Sequence, residues 1–129
     1  YADSYKRAAA DAYTRGDSIE MERYLSKYEF FYPRNPNALE FIGNMYKSSE
    51  ENTKAIKYYR NALLYNPFQL IYLKELFGLM EKVYDRQYAQ EFVQSYTKKY
   101  RIAHNNPIDN STRSFLEWCG QQKIDCSDN

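Results

Sequence analysis

A chain of 129 residues carrying 18 basic and 17 acidic side chains has a formal net charge of +1, too balanced for the basic stripe that a dedicated nucleic-acid binder needs. Hydrophobic residues make up 43% and charged residues 27%, with only 4 Gly and 4 Pro, which suits a single helical domain with its own core. No apolar run approaches the ~18 residues of a membrane-spanning helix, so no transmembrane segment is expected. Because the chain opens on Tyr1 rather than Met, either a leader has been removed or the chain continues upstream, and any targeting signal lies outside it.

In chain order, apolar periodicity and punctuation predict seven helices, at about 2–15, 18–32, 36–48, 52–65, 67–83, 86–103 and 108–119. Gly16-Asp17 separates the first two, with Asp17 or Ser18 capping the second. Asn-Pro occurs three times, at Asn35-Pro36, Asn66-Pro67 and Asn106-Pro107. Asn is a strong N-cap and Pro is tolerated at the first helical position, so each pair is expected to start a helix. Ser48 to Thr53 separates the third and fourth helices, and Asp85 can cap the sixth. The sixth is expected to be long, because Pro67 to Pro107 is a step of forty residues. The seventh places Phe115, Leu116 and Cys119 on one face, and no second helix follows it.

An internal period of thirty-four residues joins these elements: Pro33 to Pro67, Ala9 to Gly43, Met21 to Ala55, Leu25 to Tyr59, Leu39 to Leu73, Ile42 to Leu76, Tyr59 to Val93. The central unit reads Leu39-x2-Ile42-Gly43-x2-Tyr46, then Ala55-x3-Tyr59, Ala62 and Pro67. This ladder resembles the tetratricopeptide repeat, with Leu39 standing where the family usually has Trp. The resemblance implies an all-α fold: a right-handed solenoid of three helical hairpins, at about 2–35, 36–69 and 70–106, in a single domain over 1–119. The helix near 108–119 would then seal the stack, followed by a polar tail at 120–129. Gly43 would let the central pair approach closely. Phe77 departs from the pattern, with Gly78 displaced by one, and Met21 and Tyr96 are bulky where the central unit has alanine.

No catalytic constellation is legible. His104 is the sole histidine, no Cys-x2-Cys pair exists, and no Gly-rich phosphate loop or Gly-x-Ser-x-Gly elbow appears. Glu50-Glu51 falls in an expected turn, and Lys98-Lys99-Tyr100-Arg101 suits a helix C-terminus. The reading is therefore no enzyme, no metal and no cofactor. Fifteen Tyr, seven Phe and one Trp make 18% of the chain aromatic. Recurrence of Tyr24, Tyr58 and Phe92 at one repeat slot assigns most of them to packing, whereas Phe30-Phe31-Tyr32 is too dense for one helix to bury entirely. Cys119 and Cys126 either close a disulfide loop, natural in a periplasmic or secreted protein, or leave Cys119 in the core and Cys126 in a polar tail. The Asn110-Ser111-Thr112 sequon decides nothing about compartment, which stays cytoplasmic or extracytoplasmic.

The resemblance also implies a concave groove lined by the first helices of successive units, where a partner protein lays a peptide or helix. Lys6, Phe41, Asn44, Lys47 and Lys74 are the expected partner-binding residues, with Phe41 as apolar anchor, Asn44 as backbone grip and the lysines attracting an acidic segment. Co-chaperone members clamp a carboxylate with five polar residues in that groove. Here Lys6 matches one slot, but Ala10, Phe41, Ile71 and Glu75 fill the others, so that activity does not carry over. The alternatives are a self-assembling homo-oligomeric module, or a helical accessory domain of a larger enzyme or envelope protein.

Overall fold

The computed structural model describes residues 2–104 and 110–127. Within them lie seven helices and no strand: α1 (Ala2–Thr14), α2 (Ser18–Phe31), α3 (Pro36–Ser48), α4 (Asn52–Tyr65), α5 (Leu70–Val83), α6 (Arg86–Lys99) and α7 (Asn110–Gln121). Consecutive helices pair as α1/α2, α3/α4 and α5/α6, with α3 also against α2 and α7 against α5. The chain divides into two compact units, Tyr1–Asn66 and Pro67–Asn129.

Local chemistry explains most starts. Asp17 accepts from the Glu20 amide at 3.1 Å, Asn35 from those of Asn37 and Ala38 at 2.9 and 3.1 Å, and Asp85 from that of Tyr88 at 2.7 Å. The second Asn-Pro behaves differently from expectation. Asn66 ends α4, its amide donating to the carbonyls of Ala62 and Leu63, and α5 starts only at Leu70, behind Gln69. A residue before proline is pushed towards extended backbone, which here closes one helix rather than opening the next. The third Asn-Pro and positions 108 and 109 lie outside the described residues.

Four helices end on the same device, a residue in left-handed conformation: Gly16 (φ 75°), Glu50 (62°), Arg101 (50°) and Lys123 (60°). The next amide reaches back five residues each time, as in Asp17 to Ala12 at 2.9 Å and Ile124 to Cys119 at 2.9 Å. Only the first of the four is glycine. A left-handed non-glycine costs roughly 1–2 kcal/mol. After Arg101 and Lys123 come Ile102 and Ile124, both buried. Burying such a side chain contributes about 1.5–3 kcal/mol, so the isoleucine wins. This stop shortens α6 to Lys99 instead of the expected 103.

In the first unit the core is Ala9, Ala12, Met21, Leu25, Leu39, Ile42, Ala55, Tyr59 and Ala62. A Cβ on Gly43 would stand 3.3 Å from the Tyr59 ring, so α3 and α4 touch backbone to ring. Tyr58 of α4 donates to Glu29 of α2 at 2.6 Å, and Lys54 pairs with Glu22 at 2.9 Å. In the second unit Leu73, Leu76, Met80, Ala89, Val93, Ile102 and Phe115 are buried. Phe77 is buried in the slot equivalent to Gly43, and α5 and α6 pack less extensively than the other pairs. Gly78 does not restore the close approach, since a Cβ there would meet nothing within 4 Å.

The two glycines should therefore respond oppositely. Gly78→Ala removes backbone entropy at no steric cost and should raise stability by up to about 1 kcal/mol. Gly43→Ala presses on a fully buried ring whose hydroxyl is engaged, and overpacking of that kind costs roughly 1–3 kcal/mol. Thermal melting of the two variants measures both signs. A second expectation concerns alkaline pH. Burial first holds the Tyr46 phenol up to about 12, and burial then the Glu29 hydrogen bond hold Tyr58 well above its ordinary range. Unfolded phenols ionise near ~10, so between there and about pH 12 the unfolded chain releases protons the native chain keeps, and stability falls as pH rises. Melting temperature should decline across that window, and less steeply for Tyr58→Phe.

Candidate interaction surface

In the first unit, α1 and α3 present their side chains together. The Lys6 ammonium stands 5.0 Å from the centroid of the Phe41 ring. Phe41 is half-buried, and it meets the Tyr28 ring of α2 edge-on at 5.7 Å. One part of Phe41 is therefore packing and another is surface. Farther along, the Tyr13 hydroxyl donates to the Ser48 carbonyl at 3.4 Å, tying the far ends of α1 and α3.

Asn44 is exposed one turn beyond Phe41, and its Oδ1 accepts the Tyr59 hydroxyl. That bond commits the amide oxygen inward and turns the NH2 group, with two donors, outward. Lys47 is exposed on the same arc of α3. Phe41, Asn44 and Lys47 follow one another at steps of three on the helix, so they share a face with Asn44 at its centre. The arrangement offers an aromatic plate, an amide donor pair and two ammonium groups.

Lys74 lies in the second unit. Its ammonium stands 5.8 Å from the centroid of the Trp118 ring on α7. Lys74 is Lys6 advanced by two periods, and each unit thus sets a lysine of one first helix over an aromatic ring of another helix. Trp118 also meets Phe77 edge-on at 5.3 Å and Phe115 at 5.5 Å. Sequence reasoning missed Trp118 because the forty-residue step between prolines breaks the register that would have pointed to it. It missed Tyr28 as a support because its repeat mate, Ala62, is small.

The aromatic run is exposed as a group: Phe30 at 79%, Phe31 at 49% and Tyr32 at 37%. Phe31 stacks on Tyr5 at 5.9 Å, and Tyr5 on Tyr24 at 6.4 Å, with the Lys27 ammonium 5.5 Å above Tyr5. His104 is exposed, and no group of three or more metal-ligating side chains occurs among the described residues. Glu51 pairs with Lys54 at 3.5 Å. No helix among the described residues is long and apolar enough to cross a membrane.

Cys119 and Cys126 are joined, with 6.3 Å between their Cα atoms. The tail is not merely polar: Ile124 and Cys126 are buried, and the Gln122 carbonyl accepts from Arg86 at 2.9 Å and Gln90 at 3.4 Å. Closing so short a loop stabilises by roughly 2–3 kcal/mol in the chain-entropy account. Native protein purified without reductant should weigh two hydrogens less than the reduced chain and resist thiol labelling, and reduction should lower its melting temperature. Ready labelling of Cys126 in the native, unreduced protein would mean that the bridge does not form.

No protein-family model matches the chain, and no curated protein matches it, so the chemistry of these surfaces speaks for itself.

Proposed function

We propose that this chain is a non-catalytic protein-interaction scaffold of the tetratricopeptide kind, whose hairpins stack as a right-handed solenoid and whose first helices bind a peptide or helix of a partner protein. The observation that carries the reading is the α1–α3 surface, where Lys6 lies over Phe41 beside an outward-turned Asn44 amide and Lys47. Phe41 supplies apolar area, Asn44 grips a partner backbone, and Lys6 and Lys47 draw an acidic segment, with Lys74 adding a further cation on α5. Neither nucleic acid nor a cofactor enters this reading. A buried anchor is worth about 2 kcal/mol or more, whereas rim charges mostly adjust association rate.

A second reading, self-assembly, draws on Phe30, the most exposed aromatic together with its neighbours Phe31 and Tyr32. Light scattering at high concentration separates the two: a monomer removes self-assembly, and a dimer abolished by Phe30→Asp supports it.

For the scaffold, Phe41→Ala should weaken partner capture from an extract of the source organism by at least about tenfold while helical content stays intact. Lys47→Ala should slow association, and Phe30→Ala should leave capture unchanged. If Phe41→Ala instead lowers the melting temperature and captures the same proteins, Phe41 serves only to pack against Tyr28.

A further inference from the structure

Between α5 and α7 the second unit forms an open cavity of about 330 Å³, lined by Gln69, Leu70, Ile71, Lys74, Ser114 and Phe115 among others. Three of its polar residues are Gln69, Lys74 and Ser114. The Gln69 side chain makes no capping bond, and neither the Ser114 hydroxyl nor the Lys74 ammonium has a hydrogen-bond or carboxylate partner among the described residues. Lys74 leans on the Trp118 ring instead, which holds the ammonium in place without neutralising it. No acidic side chain lines the cavity among the described residues. The remaining wall is apolar: Leu70 and Phe115 are buried beneath it and Ile71 stands half-exposed at its side.

From this juxtaposition we infer that the α5–α7 cavity of the second unit binds a carboxylate carried on a short apolar body. The single fixed positive charge matches a monoanion. Lys74 and Ser114 donate to the two carboxylate oxygens, and Gln69 adds an amide donor beside them. Leu70, Ile71 and Phe115 take the apolar body, for which the volume leaves room for several carbon atoms. Such chemistry comes from two sources, a free short-chain organic acid or the terminal residue of a peptide chain. The cavity shares Lys74 with the scaffold reading and draws on no residue of the α1–α3 surface.

Trp118, the one tryptophan of the chain, reports on Lys74 directly. Hexanoate, hexan-1-ol, inorganic phosphate, N-acetyl-leucine and N-acetyl-leucinamide are titrated against the intact chain, following Trp118 fluorescence and heat. At least one of the two acids should bind saturably, with a Kd on the order of 1 mM or tighter for a ligand of this size. Its neutral counterpart, and phosphate, should bind at least about tenfold more weakly, because a charge-assisted hydrogen bond is lost or the apolar wall is left unused. Lys74→Gln should reproduce that loss with an unchanged melting curve, Lys74→Arg should restore binding, and Ser114→Ala should weaken it severalfold. Tighter binding of N-acetyl-leucine assigns the cavity to a chain end, and tighter binding of hexanoate to a free acid. Equal affinity for the alcohol or amide, equal affinity for phosphate, indifference to Lys74→Gln, or no binding by either acid overturns the inference.

Discussion

The contact of Gly43 with the Tyr59 ring sets the geometry of the central hairpin. Without a Cβ, the α3 backbone lies against an aromatic face that is wholly buried. The ring is thereby aimed so that its hydroxyl emerges beside Asn44 and fixes that amide. A packing choice in the core thus decides which hydrogen-bonding atoms the surface of α3 presents. The equivalent slots of the other hairpins hold different pairs, Ala9 with Leu25 and Phe77 with Val93, all buried. Bulk is moved from the second helix to the first while the pair stays apolar, the kind of exchange that dense interiors tolerate best. Only the Gly–Tyr version carries a hydroxyl, so only α3 gains an oriented amide.

A second constraint is electrostatic. Lys6 and Lys74 each rest on an aromatic face rather than on a carboxylate. A cation over a ring gains about 0.5–1 kcal/mol at an exposed site while remaining hydrated and charged. An ion pair would have consumed the charge; the ring leaves it available to an approaching anion. By contrast, Arg23 and Lys54 hold acidic partners at 2.9 Å, and these lie on the second helices α2 and α4. Both also lie over rings, those of Tyr24 and Tyr46, and Lys27 of α2 rests over Tyr5, so ring contact and ion pairing occur together on the second helices.

Much of the architecture was legible because its causes are local. Asp17, Asn35 and Asp85 bond amides two or three residues away, so their capping role can be read without knowing the fold. The apolar period places Leu39, Ile42, Ala55, Tyr59, Leu73, Leu76 and Val93 in the core, where they lie, because a helical face repeats wherever its partner does. Gly43 was legible for the same reason, and Gly78 was not a substitute for it, because a shift of one residue turns a helical position by about 100° away from the contact.

What the chain by itself determined is the number of helices, most of their starts and the slots of the core, all set by interactions within one turn or one repeat. Tertiary structure decided where α6 and α7 stop, since Arg101 and Lys123 accept a left-handed backbone where the following Ile102 and Ile124 become buried. It also decided that the polar-looking tail carries buried side chains, and that Lys74 meets Trp118. Each of these joins residues that no fixed spacing relates. Their energy comes from removing surface from water, and which surfaces meet is known only once the helices have packed.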